Sequence, residues 1–153
     1  QLLTQVAGRA GRGERKGEVV IQTFTPHSPA VQFARHADFH GFADQELEQR
    51  KQFHYPPYWH VVLIGCRAKQ ETHAEFALQT LVKRLQQGLP PDVSFGEPCP
   101  SPLAKAHGQF RFQLLLKVGK VRPLVAHLQR TLQGMTWPED TFVTWDVDAM
   151  SLL

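Results

Sequence analysis

The sequence predicts an α+β fold whose larger part is a four-stranded, mostly antiparallel sheet covered on one face by two helices. Three observations predict it. Residues 109–118 alternate, with Phe110, Phe112, Leu114, Leu116 and Val118 on one side and Arg111, Gln113, Leu115 and Lys117 on the other, the period of a half-buried strand. Ala74, Ala77, Leu78, Leu81, Val82 and Leu85 recur at helical spacing, as do Val121, Leu124, Val125, Leu128 and Leu132, so two amphipathic helices seek one apolar surface. Strand-like runs flank these helices in the order β-α-β-β-α-β, the split βαβ or ferredoxin-like arrangement, whose second sheet face is free to stay open.

Taken in order, residues 1–7 suit a helical turn that breaks into a Gly-Arg-rich run at 8–13. Residues 18–23, bounded by Gly17 and Pro26, are β-branched enough to predict a strand. Ser28 before Pro29 is an N-cap followed by proline at the first helical position, which predicts a helix start. Phe39, Phe42, Ala43 and Leu47 put an apolar stripe on a second helix, with Asp38 as its cap, ending before Tyr55-Pro56-Pro57-Tyr58. That diproline is read as the linker. Beyond it come a strand at 60–68, the helix at 74–85 closed by Gly88, a short strand at 93–95, the strand at 109–118, the helix at 121–132 closed near Gly134, and a last strand at 142–148 with Val143, Trp145 and Val147 on one face. The expected organisation is 1–26 as the end of one domain, 27–58 as a helical connector and 59–153 as a βαββαβ domain.

Composition narrows the function classes. The chain has 153 residues, 42% apolar and 20% charged, which fits about one compact domain or a small domain with a fragment of another attached. No apolar run approaches the roughly 20 residues of a membrane helix and no export signal opens at residue 1, so a cytoplasmic, membrane-independent protein is expected. Two cysteines, Cys66 and Cys99, exclude a disulfide scaffold or a four-cysteine zinc site built by this chain alone. Lysine and arginine total 17 against 14 acidic residues, and Arg9, Arg12, Arg15 and Lys16 opposed by Glu14 alone place the whole excess of +3 in the first 17 residues. A second basic stretch, 105–130, carries Lys105, Arg111, Lys117, Lys120, Arg122 and Arg130 with no carboxylate. Separate basic stretches predict separate anion-facing surfaces.

The most specific motif is Gln5-Val-Ala-Gly8-Arg9-Ala-Gly11-Arg12. By its residues alone it fits either a basic glycine-rich nucleic-acid loop or a set of guanidinium groups presented to phosphate, since arginine stays charged and glycine permits close approach. It resembles motif VI of the superfamily 2 helicases, Q-x-x-G-R-x-G-R, at every fixed position. Residues 17–23, Asp38-x3-Phe42-x3-Glu46-Leu47-x2-Arg50, Tyr55-Pro56-Pro57-Tyr58, Gln113-Leu-Leu-Leu116 and Asp146-Val147-Asp148 then resemble, in order, the C-terminal part of the PriA family of primosomal replication-restart helicases. Tyr58, Phe39 and Ala149 depart from that pattern.

The resemblance implies the end of a RecA-like helicase lobe followed by a compact domain similar to a ribosomal protein, in a bacterial, nucleoid-associated ATP-dependent 3′ to 5′ DNA helicase that restarts stalled forks. It implies that Arg9 and Arg12 are catalytic arginine fingers and that Gln5, Gly8 and Gly11 join them in contacting ATP. ATP, Mg²⁺ and Zn²⁺ would belong to the full-length parent, with the zinc ligands outside this chain, and the chain alone would bind none of them and have no ATPase activity. Expected partners are forked and single-stranded DNA, single-stranded-DNA-binding protein and other primosome proteins, with the chain monomeric. Lys105, Arg111, Lys117, Lys120 and Arg122 are the candidate DNA contacts. The rival reading is a free-standing ferredoxin-like nucleic-acid-binding module with a basic arm and no ATPase. Cys66 in a strand reads as a buried thiol and Phe110 and Phe112 read as core; His36 and His40 have i, i+4 spacing, but with Asp38 between them as a helix cap they read as solvated histidines rather than metal ligands, and nothing in the spacing of Ser101, His107 and any aspartate supports a triad.

Overall fold

A computed structural model describes residues 2–10 and 17–149. The chain divides into two units, Gln1–Gln49 and Arg50–Leu153. In the first lie α1 (Leu2–Ala7), α2 (Pro29–Arg35) and most of α3 (Phe39–Gln52), none of which has a fully buried residue. Ser28 precedes α2 in extended conformation with Pro29 in its first turn, as predicted. Asp38 caps α3 by accepting a hydrogen bond from the Gly41 amide at 2.8 Å. A side chain at Gly41 would run into the Asp38 carboxylate and the Phe33 ring, so the close turn requires glycine there.

The strand expected at 18–23 is absent: residues 17–23 form no ladder, and Val19, Val20 and Ile21 are exposed. A β-branched run satisfies its backbone only beside another strand, and no described residue of this chain supplies one.

The second unit has the predicted α+β architecture, with one more strand than predicted. Its elements are β1 (His60–Ala68), α4 (Glu71–Leu85), β2 (Val93–Phe95), β3 (Cys99–Ala106), β4 (Gln109–Val118), α5 (Val121–Gln133) and β5 (Phe142–Val147). The sheet order is β2-β4-β1-β5, all antiparallel, with β3 also paired to β4. β2 meets 116–118 of β4 and β3 meets 109–113, so the two lie end to end along one edge of β4 and together make the second strand of the split βαβ plan. Pro98, Pro100 and Pro102 hide this strand from a propensity reading. Proline cannot donate to a ladder, so a proline-rich strand is tolerated only at an edge, where β3 sits. Its pairing is interrupted between Pro100 and Lys105, where residues 101–104 bulge.

One face of the sheet is the core. Val62, Ile64, Cys66 and Ala68 of β1 and Phe112, Leu114, Leu116 and Val118 of β4 are buried under Ala74, Ala77, Leu78, Leu81 and Leu85 of α4 and Leu124 and Leu128 of α5. Each buried Leu, Ile, Val or Phe contributes roughly 1.5–3 kcal/mol. Alternate residues of the same strands therefore point to the face opposite α4 and α5.

Candidate nucleic-acid interface

Pairing register sets out the open face row by row. Arg111 of β4 lies directly opposite Arg67 of β1, and Arg67 opposite Phe142 of β5. Two residues along, the row is Gln113, Gly65 and Thr144, and two further it is Leu115, Leu63 and Asp146. The last row pairs Lys117 with Val61.

The two ends of this face differ. At the Lys117 end the ammonium donates to the Phe53 carbonyl at 2.9 Å and sits 3.8 Å from the centre of the Tyr55 ring, so residues 53–55 lie against that end of the sheet. Arg50 reinforces the segment by donating to the Pro56 carbonyl. There too the Asp148 carboxylate accepts from the Val61 amide at 2.9 Å and pairs with His60 at 2.7 Å. Partial burial pushes the Asp148 carboxyl up, but the His60 hydrogen bond, the Val61 amide and the His60 charge outweigh it and hold the group below its ordinary value.

At the other end Arg67 and Arg111 are exposed, and neither forms an ion pair or hydrogen bond with a described residue. Arg67 lies over the Phe142 ring, 5.0 Å from its centre. Like charges directly opposite on a sheet repel, and an anion bound to both guanidinium groups offsets that repulsion. Beside them is a cleft of about 210 Å³ between the 101–103 bulge and the β4, β1 and β5 rows.

The candidate DNA residues are thus not one patch. Arg111 faces the cleft, Lys117 is committed to residues 53–55, and Lys105 lies over the Phe110 ring, 4.5 Å from its centre, at the sheet edge. Lys120 and Arg122 sit at the start of α5, the helix that packs on the opposite face. Arg67, missed in the sequence, is the residue that joins Arg111. Its strand gives no polar alternation to signal it, since Val61, Leu63 and Gly65 share its face, and its partner is settled by register alone.

A profile of the primosomal protein N C-terminal domain matches residues 51–150. The chain belongs to this family. It is 38% identical over 152 residues to the replication restart protein PriA of Synechocystis sp. (99% of this chain, 18% of that protein). The replication restart protein PriA of Bacillus subtilis is 32% identical over 133 residues (87% and 16%), and that of Treponema pallidum 34% over 153 residues (99% and 23%). These matches bear out the resemblance to the C-terminal part of PriA. The chain spans less than a quarter of the length of each relative.

Within this member of the primosomal protein N C-terminal domain family, the motif ahead of the matched region is partly described. Gln5 is exposed on α1, the Gly8 amide donates to the Thr4 carbonyl at 2.9 Å as the helix ends, and Arg9 is exposed in the turn that follows. Gly11 and Arg12 lie outside the described residues. His36 caps α2 while His40 belongs to α3, so they do not share one helix face. Among the described residues no group of three or more His, Cys, Asp or Glu could hold a metal ion, and no helix is long and apolar enough to cross a membrane. Cys66 is buried, and burial pushes its thiol up to about 11, whereas Cys99 is exposed.

Proposed function

We propose that the chain is part of a replication-restart helicase of the PriA type and that its sheet domain holds DNA through the open face. The observation that carries the DNA role is the Arg67–Arg111 pair, two exposed guanidinium groups in direct register with no described carboxylate paired to either. A protein acting on forks of any sequence must hold backbone without reading bases, and arginine suits phosphate because its planar fork donates two parallel hydrogen bonds. In the same proposal Arg9 and Arg12 neutralise charge on the transferring phosphoryl group, with Gln5, Gly8 and Gly11 shaping the turn. ATP, Mg²⁺ and Zn²⁺ then belong to the parent protein, single-stranded-DNA-binding protein and other primosome components are its partners, and the bacterial cytoplasm is its location.

The test is DNA binding by the 153-residue chain, read by fluorescence anisotropy across a salt series. Arg67→Glu with Arg111→Glu should weaken binding to forked and single-stranded DNA alike and reduce the log-log salt slope by roughly 0.7 per lost phosphate contact. Unchanged binding by a folded double variant refutes the open face as the DNA surface. For the motif, Arg12→Ala in the full-length parent should lower turnover by about 10³ or more with a smaller loss of nucleotide affinity. An unchanged turnover number assigns Arg12 a structural role.

A further inference from the structure

The cleft beside the arginine pair is a built site rather than a flat cationic surface. Its floor is Gly65 in the central strand β1, where a Cβ would come within 3.2 Å of the Thr144 hydroxyl, so glycine keeps the floor low. Its wall is the 101–103 bulge of β3, including the exposed Leu103. Its polar groups are mixed: the Gln113 amide both donates and accepts, the Ser101 and Thr144 hydroxyls do the same, and the Asp146 carboxylate accepts. At about 210 Å³ it is smaller than sites for drug-sized ligands, which begin near roughly 300 Å³. That leaves room for one planar heterocycle.

We infer that this cleft takes one unstacked base of a DNA single strand, with the adjoining phosphate held between Arg67 and Arg111. The inference rests on the open-face reading above and narrows it to a single-nucleotide subsite. Two features select this ligand over an acidic peptide. Asp146 on the rim repels carboxylates but accepts from the exocyclic amine or ring N–H that bases carry. A mixed donor and acceptor lining suits a base edge, whereas a carboxylate offers acceptors only.

The experiment uses the 153-residue chain and three labelled probes: a short oligothymidylate, the same backbone with abasic sugars, and a blunt duplex. The base-bearing strand should bind about tenfold more tightly than the abasic strand. Gly65→Val, which raises the floor, should abolish that difference. Leu103→Ala, which removes the apolar wall from the exposed bulge without adding charge, should narrow the same difference and serves where Gly65→Val disturbs the central strand. Arg67→Gln should weaken both single strands and lower their salt slope. Equal binding of the base-bearing and abasic strands by the wild-type chain overturns the subsite but leaves the backbone-holding reading standing. Failure to bind any probe overturns both. Displacement of the strand by an acidic peptide at lower concentration than by thymidine monophosphate overturns the choice of ligand.

Discussion

Lys117 decides whether the strand face at the end of β4 holds DNA or holds the preceding segment. Its ammonium donates to the Phe53 carbonyl at 2.9 Å and lies 3.8 Å from the Tyr55 ring centre. Lys117→Met keeps most of the apolar stem and removes both contacts. A hydrogen bond from a charged donor contributes roughly 1.5–3 kcal/mol and an exposed cation–π contact about 0.5–1 kcal/mol. Freeing the lysine returns up to about 2 kcal/mol of rotamer entropy, so the net loss is about 1 kcal/mol or slightly more. With a urea dependence near 2 kcal/mol per molar, the denaturation midpoint should fall by about 0.5 M. A double-mutant cycle with Tyr55→Leu should return a coupling of roughly 0.5–1 kcal/mol, and protease should nick the 53–58 segment faster in the variant. An unchanged midpoint, zero coupling and unchanged cleavage would refute the docking argument. The ammonium would then be available to phosphate, and the same substitution would instead reduce the salt slope for single-stranded DNA by about 0.7.

The remaining predictions address the core, acid stability, thiol reactivity and the domain edge. Leu114→Ala, at a fully buried position of β4, should cost about 2–5 kcal/mol and lower the urea midpoint accordingly; a loss below about 1 kcal/mol contradicts the packing described. Asp148 is held below the ordinary carboxylate value of 3.8, so its contribution is present above that value and lost as pH falls through the folded-state value. The wild-type midpoint should therefore drop more steeply than that of Asp148→Asn between roughly pH 5 and 3, and parallel curves would refute the linkage. A thiol reagent at neutral pH should label Cys99 at once and Cys66 only on unfolding, because burial shields the Cys66 thiol and disfavours its thiolate; rapid labelling of both would contradict this. A fragment of residues 50–153 should fold alone and be more stable than 59–153, which lacks the segment held by Lys117, and equal melting temperatures would return the edge to residue 59.

What the sequence disclosed follows from which physical rules are local. Alternation along 109–118 and helical spacing along 74–85 repeat a burial requirement residue by residue, so β4 and α4 were legible directly. β3 was not, because its prolines argue against a strand and only an edge position excuses them. The run at 18–23 failed in the opposite way: its residues favour extension, but a strand is a relation to a neighbour, and none among the described residues supplies it. The same distinction governs the charge. The carboxylate-free stretch is contiguous along the chain, yet a pleated sheet sorts neighbouring residues onto opposite faces, and the helix after β4 carries Arg122 to the covered side. Contiguous cations are therefore dispersed by the fold that contains them. A concentrated anion site on a sheet needs cations from different strands at one register, as Arg67 and Arg111 are. Such a pair has no signature in composition or periodicity, because register links positions far apart in sequence and a slip of one residue would turn a strand's side chains to the other face.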